Sequence, residues 1–435
     1  MTPGSTYSQQ LQGIHRTVLD NGMVVLMAEN PTADIIAARV FVRAGSRWEL
    51  PHQAGLSHLI AAVLTKGTNR LSSLEIAEQV ESVGASLSTD ATTDYFLLSL
   101  KTVSADFENI LKLASELLRS PSFPESELEL ERRLTLQAIR SQQEQPFTIA
   151  FDQLRWMMYG EHPYALPGLG TINSVAQLQA EDLHHYHQTH FRPDNIVISL
   201  SGRIQADAAI QLVQQVFGDW QPPADPLPTL DLPPVVTQPL TKAIAQETQQ
   251  SIIMLGYLAP GIGTLTDPTQ ASLSTQEYAT LKLLNTYLGN GLSSRLFVEL
   301  REKRGLAYEV SAFYTTRLYP AQFVAYMGTA PENTQIALDG LRHEVDRLQA
   351  TLLTREELEA AKNKLLGQYA LGKQTNAQIA QIFGWYETLK LGIQFDAIFQ
   401  EQVTATTAEF AQTVAQKYFT SPHISLVGPA AFVEA

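Results

Sequence analysis

The 435-residue sequence predicts an α+β fold of two homologous domains, each a mainly antiparallel sheet flanked by helices. Three observations predict it. Short strand patterns rich in β-branched residues alternate with longer amphipathic stretches. Prolines 222, 223, 226, 228, 233, 234 and 239 cluster near the middle of the chain. Such a run builds neither regular helix nor central strand and stays extended. The elements after it repeat those before it in outline. The reading is an N-terminal arm over 1–13, a first domain over 14–220, a proline-rich linker over 221–240 and a second domain over 241–435.

In the first half, two apolar runs flank Asp20-Asn21-Gly22 between Thr17 and Ala28, a hairpin signal. Ile35 to Ala44 reads as a strand, and Ala54 to Thr65 as a helix. Leu74 to Val83 is an amphipathic helix stopped by Gly84. Ala85 to Thr89 and Tyr95 to Thr102 alternate as strands, and Ala105 to Leu118 is helical. Ser126 to Gln145 is a long helix rich in Glu and Arg. Gln177 to Phe191 is a helix, and strand Ile196 to Gly202 closes the half.

In the second half, Ser251 to Leu258 answers the strand Ile35 to Ala44, and Glu277 to Gly289 answers the first central helix. A helix over Ser293 to Arg304, strands Ala307 to Tyr314 and Phe323 to Gly328, and helices within Glu332 to Leu353 and over Arg355 to Tyr369 follow. His423 to Val427 mirrors Ile196 to Gly202.

Composition narrows the function. A hydrophobic content of 44% and a charged content of 17% are ordinary for a globular protein. A formal net charge of −14 argues against nucleic-acid partners and anionic membrane surfaces. With no cysteine there is neither a disulfide framework nor a thiolate nucleophile. No apolar run reaches the ~18 residues of a membrane span, and the first residues lack a secretory signal's apolar core. The expected location is the cytoplasm.

The chain is organised around Gly55-Leu56-Ser57-His58-Leu59-Ile60-Ala61-Ala62-Val63-Leu64-Thr65-Lys66-Gly67-Thr68. A helical H-x-x-E-H motif places two His on one face to hold zinc, with a Glu between them to take a proton from the bound water. Here only His58 is present. The Glu position is Ala61 and the second His position is Ala62.

Together with Ala44-Gly-Ser-Arg-Trp-Glu-Leu50, this stretch resembles the inverted-zincin peptidases, the family of mitochondrial processing peptidase, pitrilysin and insulysin. A second match is Gly289-Asn-Gly-Leu-Ser-Ser-Arg-Leu-Phe-Val-Glu-Leu-Arg-Glu-Lys-Arg-Gly-Leu-Ala-Tyr308. The resemblance covers roughly Ile14 to Ala430. It implies a third zinc ligand, a Glu, at the position of Ala138, seven residues after a family-typical Glu at Glu131. The positions of the base and of two of the three ligands are thus alanines, and this chain is expected to bind no metal.

The resemblance also gives Arg301 and Tyr308 roles. A guanidinium and a phenol both donate hydrogen bonds and can hold a peptide carbonyl and its developing oxyanion. The implied protein is the non-catalytic subunit of a heterodimeric zinc processing peptidase. A homologous partner would supply the zinc, and unfolded or extended peptide would be the substrate, bound by strand addition. Residue types alone favour a framework role, with Arg301 paired to an acid and Tyr308 packed. The alternative function is an inactive scaffold or peptide-binding homodimer, akin to the core subunits of cytochrome bc1, which share this fold.

One further cluster, His184, His185, His187 and His190, lies on a single predicted helix. It permits a displaced metal site with His58, against the simpler reading of a solvated helix end. The segment Gly160 to Thr171 matches a family loop and is read as structural.

Overall fold

The computed structural model describes residues 8–11, 13–235, 238–265 and 274–433. Asp20-Asn21-Gly22 turns the chain between β2 (Ile14–Val18) and β3 (Val24–Glu29), with Gly22 at φ +87°. The two strands pair antiparallel with Val18 opposite Val24. Of the expected N-terminal arm, Ser8–Leu11 form β1, antiparallel to β2, and residues 1–7 and 12 lie outside the described residues.

The first sheet is completed by β4 (Ile36–Val42), β5 (Ser86–Ala91), β6 (Phe96–Thr102) and β7 (Ile196–Gly202). Its order is β1-β2-β3-β7-β4-β6-β5. Only β3 and β7 run parallel. The helices of this half of the chain are α1 (Leu56–Val63), α2 (Ser73–Glu81), α3 (Phe107–Arg119), α4 (Glu125–Gln142), α5 (Pro146–Tyr159), α6 (Ile172–Gln177), α7 (Ala180–His190) and α8 (Ala206–Phe217). A Ser72–Glu75 capping box starts α2, and Gly84 at φ +61° follows its end.

After the linker come β8 (Thr241–Ala245), β9 (Ser251–Ala259), β10 (Glu309–Tyr314), β11 (Ala321–Thr329) and β12 (His423–Gly428). They form a second sheet in the order β10-β11-β9-β12-β8. The remaining helices are α9 (Thr275–Gly289), α10 (Thr334–Ala350), α11 (Arg355–Leu371), α12 (Asn376–Thr388), α13 (Phe395–Ala405), α14 (Ala408–Tyr418) and α15 (Ala430–Val433). The segment expected as one helix over Ser293 to Arg304 instead carries a π-helical stretch, Phe297–Lys303.

The chain divides into two compact units. The first takes residues up to Ile139, Leu166–Leu232 and Leu371–Gln394; the second takes Arg140–Ala165, Pro233–Ala370 and the chain from Phe395. Each sheet is therefore covered by a helix from the opposite half of the sequence. In the first unit α12 lies on β4 and β7. Gly384 makes this close approach possible, since a Cβ there would stand 2.4 Å from the Phe41 ring. In the second unit α5 lies on β9 and β12. Here the strand supplies the glycine: a Cβ on Gly256 would stand 2.6 Å from Met158 Sδ.

The first core gathers Met27, Val40, Leu59, Ile60, Leu98 and Ile198, all buried. The second gathers Leu154, Met158, Met254, Val324 and Val427. Among the described residues no helix is long and apolar enough to cross a membrane.

Candidate functional site

In the first unit, α1 carries the degenerate motif. Gly55, in the left-handed region at φ +95°, turns the chain into the helix. Glu49 caps it: one carboxylate oxygen accepts from Gly55 N at 2.9 Å and the other from Ser57 N at 2.7 Å. Burial pushes this carboxyl up to about 7, against the pull of the hydrogen bonds from Ser57 and Gly55. The rest of the Ala44–Leu50 framework is equally tied down. The Tyr186 hydroxyl accepts from Gly45 N and donates to Gly45 O, and Arg47 pairs with Asp94 at 3.3 Å.

The end of the segment Gly160 to Thr171, at Leu169 and Gly170, meets the start of α1. A Cβ on Gly170 would lie 2.1 Å from Ala54 O, and Ser174 Oγ donates to that same carbonyl at 2.7 Å.

Ala61 is 5% exposed, and its carbonyl accepts from Thr89 Oγ1 of β5 at 2.5 Å. His58 is half-buried; burial holds its imidazole below the usual value, and Glu131 and Asp90 pull the other way. Lys66 at the end of the helix pairs with Glu131 at 3.4 Å. Ala62 and Ala138 are half-buried.

The set His58, Ala61, Ala62 and Ala138 offers a metal one imidazole and three methyl groups. Structural and catalytic zinc sites take three or four N, O or S donors, so these residues do not fit zinc. Among the described residues no other group of three His, Cys, Asp or Glu converges.

The histidines of α7 serve packing. His187 Nε2 hydrogen-bonds Leu118 O at 2.9 Å, and burial pushes the ring down to about 4. His190 packs between the rings of Trp48, at 4.7 Å, and Tyr186, at 4.5 Å, tilted against both, and is likewise pushed down to about 4 by burial and by Arg47. His184 packs edge-on against Phe123, and His185 is exposed.

In the second unit, Leu296 and Leu300 anchor the segment that carries Arg301; both are fully buried. Arg295 fixes it further, bonding Glu344 at 2.8 Å and Glu299 at 3.0 Å. The π-helical turn leaves Arg301 exposed, its guanidinium 4.9 Å above the Phe297 ring. Single π-helical turns occur preferentially at functional sites. Gly305 at φ +61° reverses the chain, with its N–H on Arg301 O. Thr329 Oγ1 then holds Leu306 O, and Tyr308 N donates to Gly328 O.

Tyr308 thus stands at the head of β10 with 60% of its surface exposed. No acid among the described residues pairs with Arg301. Neither feature of a pure framework role, an ion-paired arginine and a packed tyrosine, is present. The reading of the sequence did not single out Glu49, although a lone acid just before a helical motif is an N-terminal capping signal.

Comparison with known proteins places the two halves of the sequence and the fold. Residues 24–172 match the family model described as insulinase (peptidase family M16), and residues 177–365 match the peptidase M16 inactive domain. An uncharacterized zinc protease of Bacillus subtilis, YmxG, is 27% identical over 424 residues, covering 96% of this chain and 98% of its own. A similarly described protein of Streptomyces coelicolor is 25% identical over 427 residues, covering 96% and 90%. Among solved structures, a peptidase M16 inactive domain from Pseudomonas fluorescens superposes with a TM-score of 0.87 at 26% identity, covering 96% of this chain and 98% of that one. A protease from Helicobacter pylori shares the fold with a TM-score of 0.87 at 20% identity, covering 98% and 100%. Both halves of the sequence and the whole fold therefore place this chain in the peptidase M16 family.

Proposed function

We propose that this protein is the non-catalytic subunit of a two-chain zinc peptidase. The partner carries the zinc and its H-x-x-E-H helix, and this chain contributes Arg301 and Tyr308 to the bound peptide. One observation carries the reading: of the zinc-site positions only His58 holds a donor, while Arg301 and Tyr308 are exposed and held by an ordered turn. A guanidinium and a phenol aimed at a scissile carbonyl stabilise the oxyanion without binding metal. β10 is the outer strand of its sheet, so Tyr308 stands beside a main-chain edge to which an extended substrate can add.

The test is isolation of the native complex, followed by assay of the pair. A stoichiometric partner with an intact H-x-x-E-H is expected. Arg301→Ala and Tyr308→Phe are each expected to lower kcat by roughly 10- to 1,000-fold while the complex still forms. Unchanged turnover in both variants would remove the proposal. Recovery of this chain only with itself would favour the scaffold or peptide-binding homodimer.

A further inference from the structure

The two sheets repeat each other strand for strand. The order β3-β7-β4-β6-β5 of the first is the order β8-β12-β9-β11-β10 of the second. The parallel pairs also share a register. Glu29 lies opposite Gly202, and Ala245 lies opposite Gly428. The next residue does the same in each: Asn30 N donates to Gly202 O at 2.9 Å, and Gln246 N donates to Gly428 O at 2.8 Å.

The repeat breaks on the outer side of these pairs. In the first sheet, β2 lies antiparallel along β3. In the second, β8 is the last strand among the described residues. The reason is in the linker. Counting back from β8 as β2 lies before β3, the places of Thr17 and Val18 fall on Pro233 and Pro234. Proline has no N–H to give a ladder.

The edge left behind is competent to pair. Leu240 O accepts from Ile424 N, and Gln246 N donates to Gly428 O, so residues of even number turn their main chain toward β12. Alternation then directs the N–H and C=O of Thr241, Ala243 and Ala245 outward. The side chains of these three residues are exposed and small. Natural edges are commonly blocked by a lysine. Here Lys242 is drawn onto the sheet face instead, with its ammonium 4.1 Å above the Trp156 ring of α5.

The first sheet also shows what chemistry suits the missing strand. Leu26 holds the place of Lys242, and Arg16 of β2, opposite Leu26, crosses to Glu387 on the covering helix. The second sheet presents Lys242 and the 55% exposed Trp156 at that place. An acidic side chain is the complement of this pair.

We propose that the outer edge of β8 is a docking site for an extended, proline-free strand of a partner protein. The strand lies antiparallel to Thr241–Ala245, with an Asp or Glu opposite Lys242 between β-branched neighbours. It is a site separate from Arg301 and Tyr308.

The test uses the full chain and the blocked peptide acetyl-Val-Thr-Ile-Glu-Val-Thr-amide, read by binding titration and by amide hydrogen exchange. Saturable binding that slows exchange at Thr241, Ala243 and Ala245 is expected. Ala243→Pro is expected to abolish binding. Lys242→Glu keeps every main-chain group; it is expected to weaken binding about tenfold or more and to restore it for the peptide with Lys in place of Glu. Protection at β5 or β10 instead of β8, no binding, or indifference to Lys242→Glu would each overturn the proposal. So would concentration-dependent protection of β8 without peptide, which would assign the edge to a second copy. None of these readouts depends on Arg301 or Tyr308.

Discussion

Arg16 of β2 and Glu387 of α12 are 371 positions apart in sequence and share a two-pronged ion pair, Nη2 to Oε1 at 2.7 Å and Nε to Oε2 at 3.0 Å. The pair fastens a helix from the second half of the sequence to the first sheet. Arg43 adds to it from β4's end, donating to the carbonyls of Glu387 and Thr388 at the close of α12. Cations suit that end of a helix.

Removing Glu387 leaves two arginines without their nearest acid. Glu387→Ala is expected to cost about 2–4 kcal/mol, measured as a lowered denaturant midpoint. A double-mutant cycle with Arg16→Ala is expected to show coupling of about 1 kcal/mol or more. Additive single effects would mean that the helix is held by packing on Phe41 and not by the pair.

Two buried histidines weaken the fold in acid. His187 and His190 sit at about 4 when folded, below the 6.5 of an ordinary imidazole. Their contribution is complete above about pH 6.5 and is lost as pH falls through 4, because the unfolded chain takes up the protons first. His190→Phe keeps an aromatic ring between Trp48 and Tyr186 and removes one titration. Its stability is expected to fall less steeply than wild type between pH 6.5 and 4 in chemical denaturation.

Glu49 works in the opposite sense. Its folded value of about 7 lies above the ordinary 4.5, so its contribution is full below 4.5 and declines as pH rises to 7. Glu49→Gln retains an acceptor for the α1 N-terminus. It is expected to flatten the decline between pH 5 and 7, and an unaltered pH profile would show that Glu49 is ionised throughout.

The degenerate motif can be tested by rebuilding it. Ala62→His and Ala138→Glu return the family's two missing ligands beside His58, and Ala61→Glu returns its base. One zinc per chain is expected in the triple variant by metal analysis after dialysis, and far less in wild type. A triple variant without zinc would mean that the framework around α1 no longer has zincin geometry.

That framework depends on Gly170, at φ +80° and in contact with Ala54. Gly170→Ala adds both backbone strain and a clash with a carbonyl oxygen. A loss of about 2 kcal/mol or more is expected, read as a lowered thermal midpoint.

Much of this was legible in the sequence. Asp20-Asn21-Gly22 specifies its turn through local backbone preference, and the strands that follow it show their own periodicity. The linker announces itself through proline. The alanines at 61, 62 and 138 were legible as positions without metal donors or base, because a methyl group has no lone pair to give. What Arg301 and Tyr308 do in space was not legible. A 3.6-residue pattern cannot announce a π-helical turn, and exposure depends on which neighbours cover the surface.

The sequence by itself determined the α+β class, the internal repeat, the alanines at 61, 62 and 138 and the presence of Arg301 and Tyr308. Only the tertiary structure decided that α5 and α12 each cover the sheet of the other half, and that no strand among the described residues lies beyond β8. An amphipathic helix encodes that it must bury a face, not against which sheet. That choice falls to contacts between residues far apart in sequence: Gly384 on Phe41, Gly256 on Met158 and Arg16 with Glu387.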